Sequence, residues 1–339
     1  MKKKGIRDSN STTVAVVGNG SWATAIVKVL TLKGLQVRWW IRREEMAEFV
    51  SDHGHNPHYL SAVHLPIQQL TISTDVSEVV KKAEVVVFCV PSFYFLKTIQ
   101  KLAPAELDGK VIVSAIKGMV PGKKQLISTY LNESYKVDEN RLVAITGPCH
   151  AEEVAGEKLS YLTFASKNLA VAQETAALFN CRFITSTVSE DIEGTELAAV
   201  LKNVCAIASG ICHGLGYGDN FQAVLIANAM KEIEAMLNAV YPHKRNILDS
   251  AYLGDLLVTA YSQFSRNRTF GIMIGKGYSV KHAQIEMDMV AEGYYAVKPL
   301  FELNENYKVE MPILTAVYHI LYEKIAVPIE IRLMADKFN

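Results

Sequence analysis

No CxxC pair occurs in this chain of 339 residues, and its five cysteines, at positions 89, 149, 181, 205 and 212, are odd in number. That usage argues against a disulfide framework and against a structural zinc site, and it suits a reducing, cytoplasmic setting. Charge of one sign is missing too: Lys plus Arg and Asp plus Glu both number 35, so no broad basic field exists for nucleic acid. Long apolar runs are scarce at the start, where MKKKGIRDSNSTT leads only into the short run Val14 to Val17. The expectation is a flexible tail over residues 1–13 rather than a signal peptide, and no membrane span is expected. Internal repeats, low-complexity tracts and a proline-rich linker are also absent.

What is present divides at about residue 192. In the first half short β-branched runs recur: VAVV at 14–17, VRWWI at 37–41, LTIST at 70–74, VVVFCV at 85–90, VIVSAI at 111–116 and LVAI at 142–145. Runs apolar on both faces and separated by helical segments indicate a parallel sheet covered on both sides, the doubly wound α/β class. LTFAS at 162–166 and RFITS at 182–186 are expected as edge strands. Beyond residue 190 the texture becomes Ala-, Leu-, Ile- and Met-rich and helical, with glycine joints at GLGYGD and GKGYS. The expected plan is an N-terminal Rossmann-type domain over 14–192 and an all-α domain over 193–339.

The first strand runs into GNGSWATAIVKVL, where Gly18, Gly20 and Ala23 match the GxGxxA form of the dinucleotide fingerprint. Gly18 permits the tight turn, Gly20 lets a pyrophosphate reach the backbone, and Ala23 lets the helix pack closely on the strand. Amides at the helix start then face the phosphates. The match follows a strand, opens a helix and begins a domain, which is the context it requires. An NAD-selective site places a carboxylate at the end of the second strand, but here that strand ends in Arg42 and Arg43. Two guanidiniums suit a 2′-phosphate, so the expected cofactor is NADP or NAD with NADPH preferred. Glu44 and Glu45 follow closely and keep NAD open, as does the plainer use of a basic helix start.

In the 22 residues from Leu197 to Gly218, Lys202 is the only Asp, Glu, Lys or Arg. Leu197, Val200, Leu201, Val204, Ala208 and Ile211 form one apolar stripe at helical spacing, and Lys202 falls off it beside Ala198, Cys205 and Ser209. Burying an ammonium without partners costs several kcal/mol or drives off its proton. A tunable amine is what proton-transfer catalysis needs. A lysine that lays its stem on apolar surface and reaches solvent is the commoner use, and this segment by itself does not decide.

Five further segments join the loop to form an ordered set: VPSFYFL at 90–96, SAIKGM at 114–119, TGPCHAEEVA at 146–155, ELAAVLKNVCAIASGI at 196–211 and YLGDLLVTAYSQFSRNRTFG at 252–271. The set resembles the NAD(P)-dependent glycerol-3-phosphate dehydrogenases of bacterial type. The likeness runs from about Val14 to Tyr322, with VAEGYYAVK at 290–298 and MPILTAVYHILYE at 311–323 near its end. It implies reversible reduction of dihydroxyacetone phosphate to sn-glycerol 3-phosphate, a phospholipid precursor. By that resemblance Lys202, in the LKN motif, corresponds to the catalytic acid/base. Lys117 corresponds to a second lysine touching substrate and cofactor, and Asp255 to a substrate contact that orients Lys202. Two close ammoniums would lower each other's pKa and attract a phosphate dianion.

Ser265, Arg266 and Asn267 in SRNR correspond to a phosphate grip, with Arg266 also near the cofactor. Taken singly, Lys117 would read as a solvated loop residue, Asp255 as a cap or turn, and SRNR as a polar helix cap. Gly147 and Cys149 stand where the family has a glycine and usually a serine on substrate; cysteine is the poorer donor, so its side-chain contact is open. Ser21, Trp22, Arg42, Ala151, Val290 and Glu292 correspond to cofactor positions. Ala23 stands where many relatives have glycine, and His150 and His213 are expected to be structural. The alternatives are another NADP-dependent dehydrogenase of this plan, acting on a β-hydroxyacid or ketopantoate, and a non-catalytic nucleotide sensor. The expected partner is a small phosphate substrate, and a homodimer is compatible with apolar faces on the helical half.

Overall fold

In the computed structural model, which describes residues 12–287 and 290–338, the β-branched runs pair into one eight-stranded sheet. The strands are β1 (Thr13–Val17), β2 (Gln36–Trp40), β3 (Leu70–Ser73), β4 (Val85–Phe88), β5 (Val111–Ser114), β6 (Leu142–Thr146), β7 (Ser160–Ala165) and β8 (Ile184–Ser189). Their spatial order is β3-β2-β1-β4-β5-β6-β7-β8. The first six run parallel, β7 is antiparallel to β6, and β8 is parallel to β7. Residue 1–11 of the expected tail lie outside the described residues, whereas Thr12 is buried and Thr13 opens β1.

Strands β4, β5 and β6 are buried at every position, as a sheet with helices on both faces requires. Those helices are α1 (Ser21–Leu32), α2 (Glu44–His53), α3 (Val76–Lys81), α4 (Ser92–Ile99), α5 (Ile127–Tyr135), α6 (Ala151–Ala155) and α7 (Leu169–Phe179). One expectation is corrected here: β7 is not an edge strand, because it bonds to β6 on one side and β8 on the other. Of the two, β8 alone is an edge, at the end of the sheet opposite β3, and it starts at Ile184 rather than Arg182. Local alternation reports which face of a strand is buried and carries no record of its neighbours.

The remaining chain is helical: α8 (Ile192–Gly214), α9 (Asp219–Val240), α10 (Asp255–Tyr261), α11 (Arg266–Gly275), α12 (Val280–Glu286), α13 (Glu292–Tyr307), α14 (Pro312–Tyr318) and α15 (Val327–Ala335). Two compact units result. The described residues up to Ile116 and Ile127–Ile192 form the first; Lys117–Leu126 and the described residues from Glu193 onward form the second. The short segment 117–126 joins the helical unit because Met119 and Leu126 bury their side chains in its core. Helix α8 is long and apolar enough to cross a membrane by length and composition, but 89% of that window is buried inside the protein, as in a core helix.

Helices α8 and α11 touch backbone to backbone. A Cβ added at Gly210 would collide with the Arg268 carbonyl, one at Gly271 with that of Ile207, and one at Gly275 with that of Ile211. A Cβ at Gly293 of α13 would sit 2.7 Å from the Asn203 carbonyl oxygen. No side chain fits between these helices, so their spacing is set by the backbones alone.

Elsewhere in the helical unit, α14 starts against a buried acid. Glu232 of α9, 5% exposed, accepts the N–H groups of Ile313 at 2.5 Å and Leu314 at 3.3 Å, two of the orphan donors of a helix N-terminus. Burial pushes its carboxyl from 4.5 up to about 8, against the pull of those two bonds. A folded-state pKa above the unfolded one gives stability that is complete below about pH 4.5 and declines as pH rises through about 8. Glu232→Gln keeps an oxygen for both N–H groups and removes the ionisation. Its melting temperature is expected to gain on the wild type by several degrees, about 2–4 °C or more, between pH 5 and pH 9. A constant gap across that range would refute the assignment.

Candidate functional site

The first unit supplies the glycine loop. Gly18 follows β1 with φ of +134°, and a Cβ there would collide with the Cys89 carbonyl, so conformation and close approach both demand glycine. Gly20 caps α1 with no side-chain hydrogen bond, and nothing lies within 4 Å of where its Cβ would be. Ala23 is completely buried, as close packing of α1 on β1 requires. Ser21 is buried, and the buried Trp22 Nε1 has no hydrogen-bond partner among the described residues. An uncapped helix start with open space beside it and a spare donor fits the pyrophosphate of a dinucleotide.

At the end of β2, Arg42 and Arg43 are both exposed. The Arg42 guanidinium lies 5.4 Å from the ring centre of Tyr94 in the first turn of α4, which holds it in place through a cation–π contact. Arg43 is the N-cap residue of α2. Of the two carboxylates that keep NAD open, Glu44 accepts from Thr74 Oγ1 at 3.1 Å and Glu45 is exposed. Gly147 follows β6 with φ of +103°, and a Cβ would lie 2.9 Å from the Tyr161 carbonyl oxygen. Cys149 donates its thiol hydrogen to the Gly147 carbonyl at 3.3 Å, and Ala151 opens α6.

The second unit holds the ionic centre. Lys202 does not reach solvent: it is 4% exposed, and residues 195–212 of α8 are buried all round. Its ammonium donates to Asp255 Oδ1, and to Thr259 Oγ1 at 2.9 Å. Thr259 in turn donates to the Asp255 backbone carbonyl at 2.6 Å. The other Asp255 oxygen faces Lys117 Nζ at 3.3 Å. One carboxylate, 1% exposed, thus bridges two ammoniums, and cations grouped in this way attract anions. A π-helical turn over Ser250–Gly254 immediately precedes α10 and delivers Asp255, a device common at functional sites. Asn203 donates to the Lys117 carbonyl at 3.0 Å and ties the lysine loop to α8.

Of the SRNR residues, Ser265 is the N-cap of α11, its oxygen accepting from the Arg268 N–H at 3.3 Å. Arg266, half-buried, opens that helix. Asn267 Oδ1 accepts the Gly293 N–H at 2.9 Å, which leaves its amide hydrogens for other partners. Glu292 opens α13, and Val290 stands two residues before it. Ser265 and Asn267 thus each bond to a helix-start N–H, the use that SRNR would have by itself. Thr259 and Asn203 escaped the sequence reading. The signals were there: Thr259 follows Asp255 by one helical turn, and Asn203 adjoins Lys202.

Charge balance in this triad decides its energetics. An ammonium and a carboxylate about 3.3 Å apart attract by roughly 5 kcal/mol at an effective dielectric of ~20, which is comparable with the several kcal/mol of desolvation per ion. Removing the shared carboxylate leaves Lys202 buried and uncompensated. Asp255→Ala is expected to destabilise the chain by about 3–5 kcal/mol, read from urea unfolding, whereas the double variant with Lys202→Met recovers most of the loss. A single-variant loss below about 1 kcal/mol would show that the pair is not buried as described.

The model of the NAD-dependent glycerol-3-phosphate dehydrogenase N-terminus matches residues 13–172, and that of the C-terminus matches residues 191–331. A glycerol-3-phosphate dehydrogenase [NAD(P)+] of Prosthecochloris aestuarii is 36% identical over 311 residues, 91% of this chain and 93% of that protein. The crystal structure of a glycerol-3-phosphate dehydrogenase from Coxiella burnetii is similar with a TM-score of 0.91 at 27% identity, covering 96% of this chain and 99% of that one. A ketopantoate reductase from Ralstonia eutropha shares the fold at a TM-score of 0.60 and 16% identity over 96% of this chain and 99% of its own. With both family models matched in order and a relative this close over nearly the whole of both chains, the protein belongs to the NAD-dependent glycerol-3-phosphate dehydrogenase family.

Proposed function

We propose that this protein reduces dihydroxyacetone phosphate to sn-glycerol 3-phosphate with NADPH or NADH, reversibly, and supplies glycerophospholipid synthesis. The observation that carries the reading is the pair of lysines on one buried aspartate, Lys202 and Lys117 on Asp255. A nucleotide sensor has no use for such a relay. When bound, the reduced nicotinamide supplies the hydride. Lys202 gives its proton to the oxygen that becomes the alkoxide, and its neutral amine takes the hydroxyl proton in the reverse direction. Asp255 and Thr259 fix the direction of that ammonium and stabilise its charged form. Lys117, Ser265, Arg266 and Asn267, together with Gly147 and Cys149, recognise the phosphate and the hydroxyl of the substrate. Gly18, Gly20, Ser21, Trp22, Arg42, Arg43, Ala151, Val290 and Glu292, with Lys117 and Arg266, hold the cofactor.

The exposed guanidiniums of Arg42 and Arg43 favour NADPH, and the occupied Glu44 speaks for the same choice. The odd number of cysteines, five with no CxxC spacing, supports a cytoplasmic location. Exposed Leu257 and Tyr261 on α10, with Phe264 just after it, support a homodimer.

Loss of nicotinamide absorbance on mixing the protein with dihydroxyacetone phosphate and NADPH or NADH tests the reaction. Turnover of ketopantoate with none of dihydroxyacetone phosphate would overturn it. Lys202→Ala is expected to lower kcat by a factor on the order of 10³ or more, with cofactor Kd within about twofold; retained turnover removes Lys202 from its role. Arg42→Ala is expected to weaken NADPH about tenfold and NADH little, and equal loss of both would refute the 2′-phosphate contact.

A further inference from the structure

Three consecutive carbonyls of the glycine loop are each taken by a buried donor. Trp39 Nε1, from β2, donates to the Gly18 carbonyl at 2.6 Å. Asn56 Nδ2 donates to the Asn19 carbonyl at 3.0 Å and to Thr24 Oγ1 at 3.0 Å. Thr24 Oγ1 passes its own hydrogen to the Gly20 carbonyl at 3.0 Å, beside the Thr24 backbone N–H at 2.9 Å. Trp39, Asn56 and Thr24 are all completely buried. Asn56 is itself fixed, because its Oδ1 accepts the N–H groups of His58 and Tyr59, both at 3.1 Å.

The C=O and N–H of a trans peptide point in opposite directions. Turning the carbonyls of Gly18, Asn19 and Gly20 into the protein therefore turns the N–H groups of Asn19, Gly20 and Ser21 away from those donors. Nothing among the described residues accepts from the Asn19 or Gly20 N–H, and the space beside Gly20 is open. Successive N–H groups held this way make an anion-binding concavity. A glycine-rich loop left to itself would lose more conformational freedom on binding than other backbone, and prior fixing removes that cost.

We propose that Trp39 and Asn56 are positioning residues for the cofactor: by holding the loop carbonyls they preset its amides for a pyrophosphate, without touching the cofactor themselves. Neither belongs to the GxGxxA fingerprint, and Asn56 reaches the loop from 37 residues away in sequence. The proposal rests on the dinucleotide reading above and adds that the loop's shape is imposed from outside it.

The test compares ligands with and without the pyrophosphate by calorimetry or competition. 2′-Phospho-ADP-ribose carries it and adenosine 2′-monophosphate does not; ADP-ribose and adenosine form the corresponding pair if NADH proves the tighter cofactor. Asn56→Ala and, separately, Trp39→Phe are expected to weaken the pyrophosphate ligand by about tenfold, the scale of one hydrogen bond, and the other ligand by less than about twofold. Amide hydrogen exchange over residues 18–21 is expected to quicken in both variants. Trp39→Phe keeps an aromatic ring in the core, so it carries the test if Asn56→Ala does not fold. Equal weakening of both ligands would reduce the role to general stability and overturn the proposal, as would unchanged binding of the pyrophosphate ligand in the folded variants. Failure of the unaltered protein to bind any dinucleotide would remove the cofactor reading itself and the clamp with it.

Discussion

The carboxylate of Asp255 is the constraint around which the helical unit is organised. Two ammoniums, one buried and one mostly so, converge on it and share its charge. The π-helical turn before α10, the Asn203 bond to the Lys117 loop and the placing of Thr259 one turn later all serve to keep that carboxylate and its partners in register. Apolar replacements of similar volume for such buried ionic groups are often neutral or stabilising, so the triad is weak evidence for stability.

Most of the fold could be read from the chain. Runs such as VVVF at 85–88 are apolar on both faces, and a strand buried on both faces has few alternatives to a parallel sheet. The GxGxxA loop was equally plain, because turn, close approach and packing each restrict the residue at one position. Lys202 could be singled out but not judged. Its neighbours in sequence say only that it lies in an apolar helix, while its partners lie 53 and 57 residues further on. The family resemblance, carried by several ordered motifs, supplied Asp255 where spacing could not.

What escaped reading has a common character. Trp39 is one apolar residue within a strand and Asn56 one polar residue outside any helix or strand, yet each sends an N–H across the first unit to a carbonyl of the glycine loop. Side-chain to backbone bonds of this kind leave no periodic trace, since the acceptor is present in every residue. The position of β7 was misjudged for a related reason: strand order is decided by pairing, and pairing is a property of two segments.

The glycine contact between α8 and α11 bears on what this scaffold can become. Lys202 rides on the first helix and Arg266 opens the second, and between their backbones no rotamer exists that could absorb a change. The two helices act as a gauge of fixed length, calibrated by main-chain atoms. Substitutions along the pair are answered by collision or a gap, so a shift toward longer or shorter substrates has to come from the side chains at the helix ends. Divergence of specificity on this framework would then be concentrated in a few terminal positions while the pair itself stays unchanged.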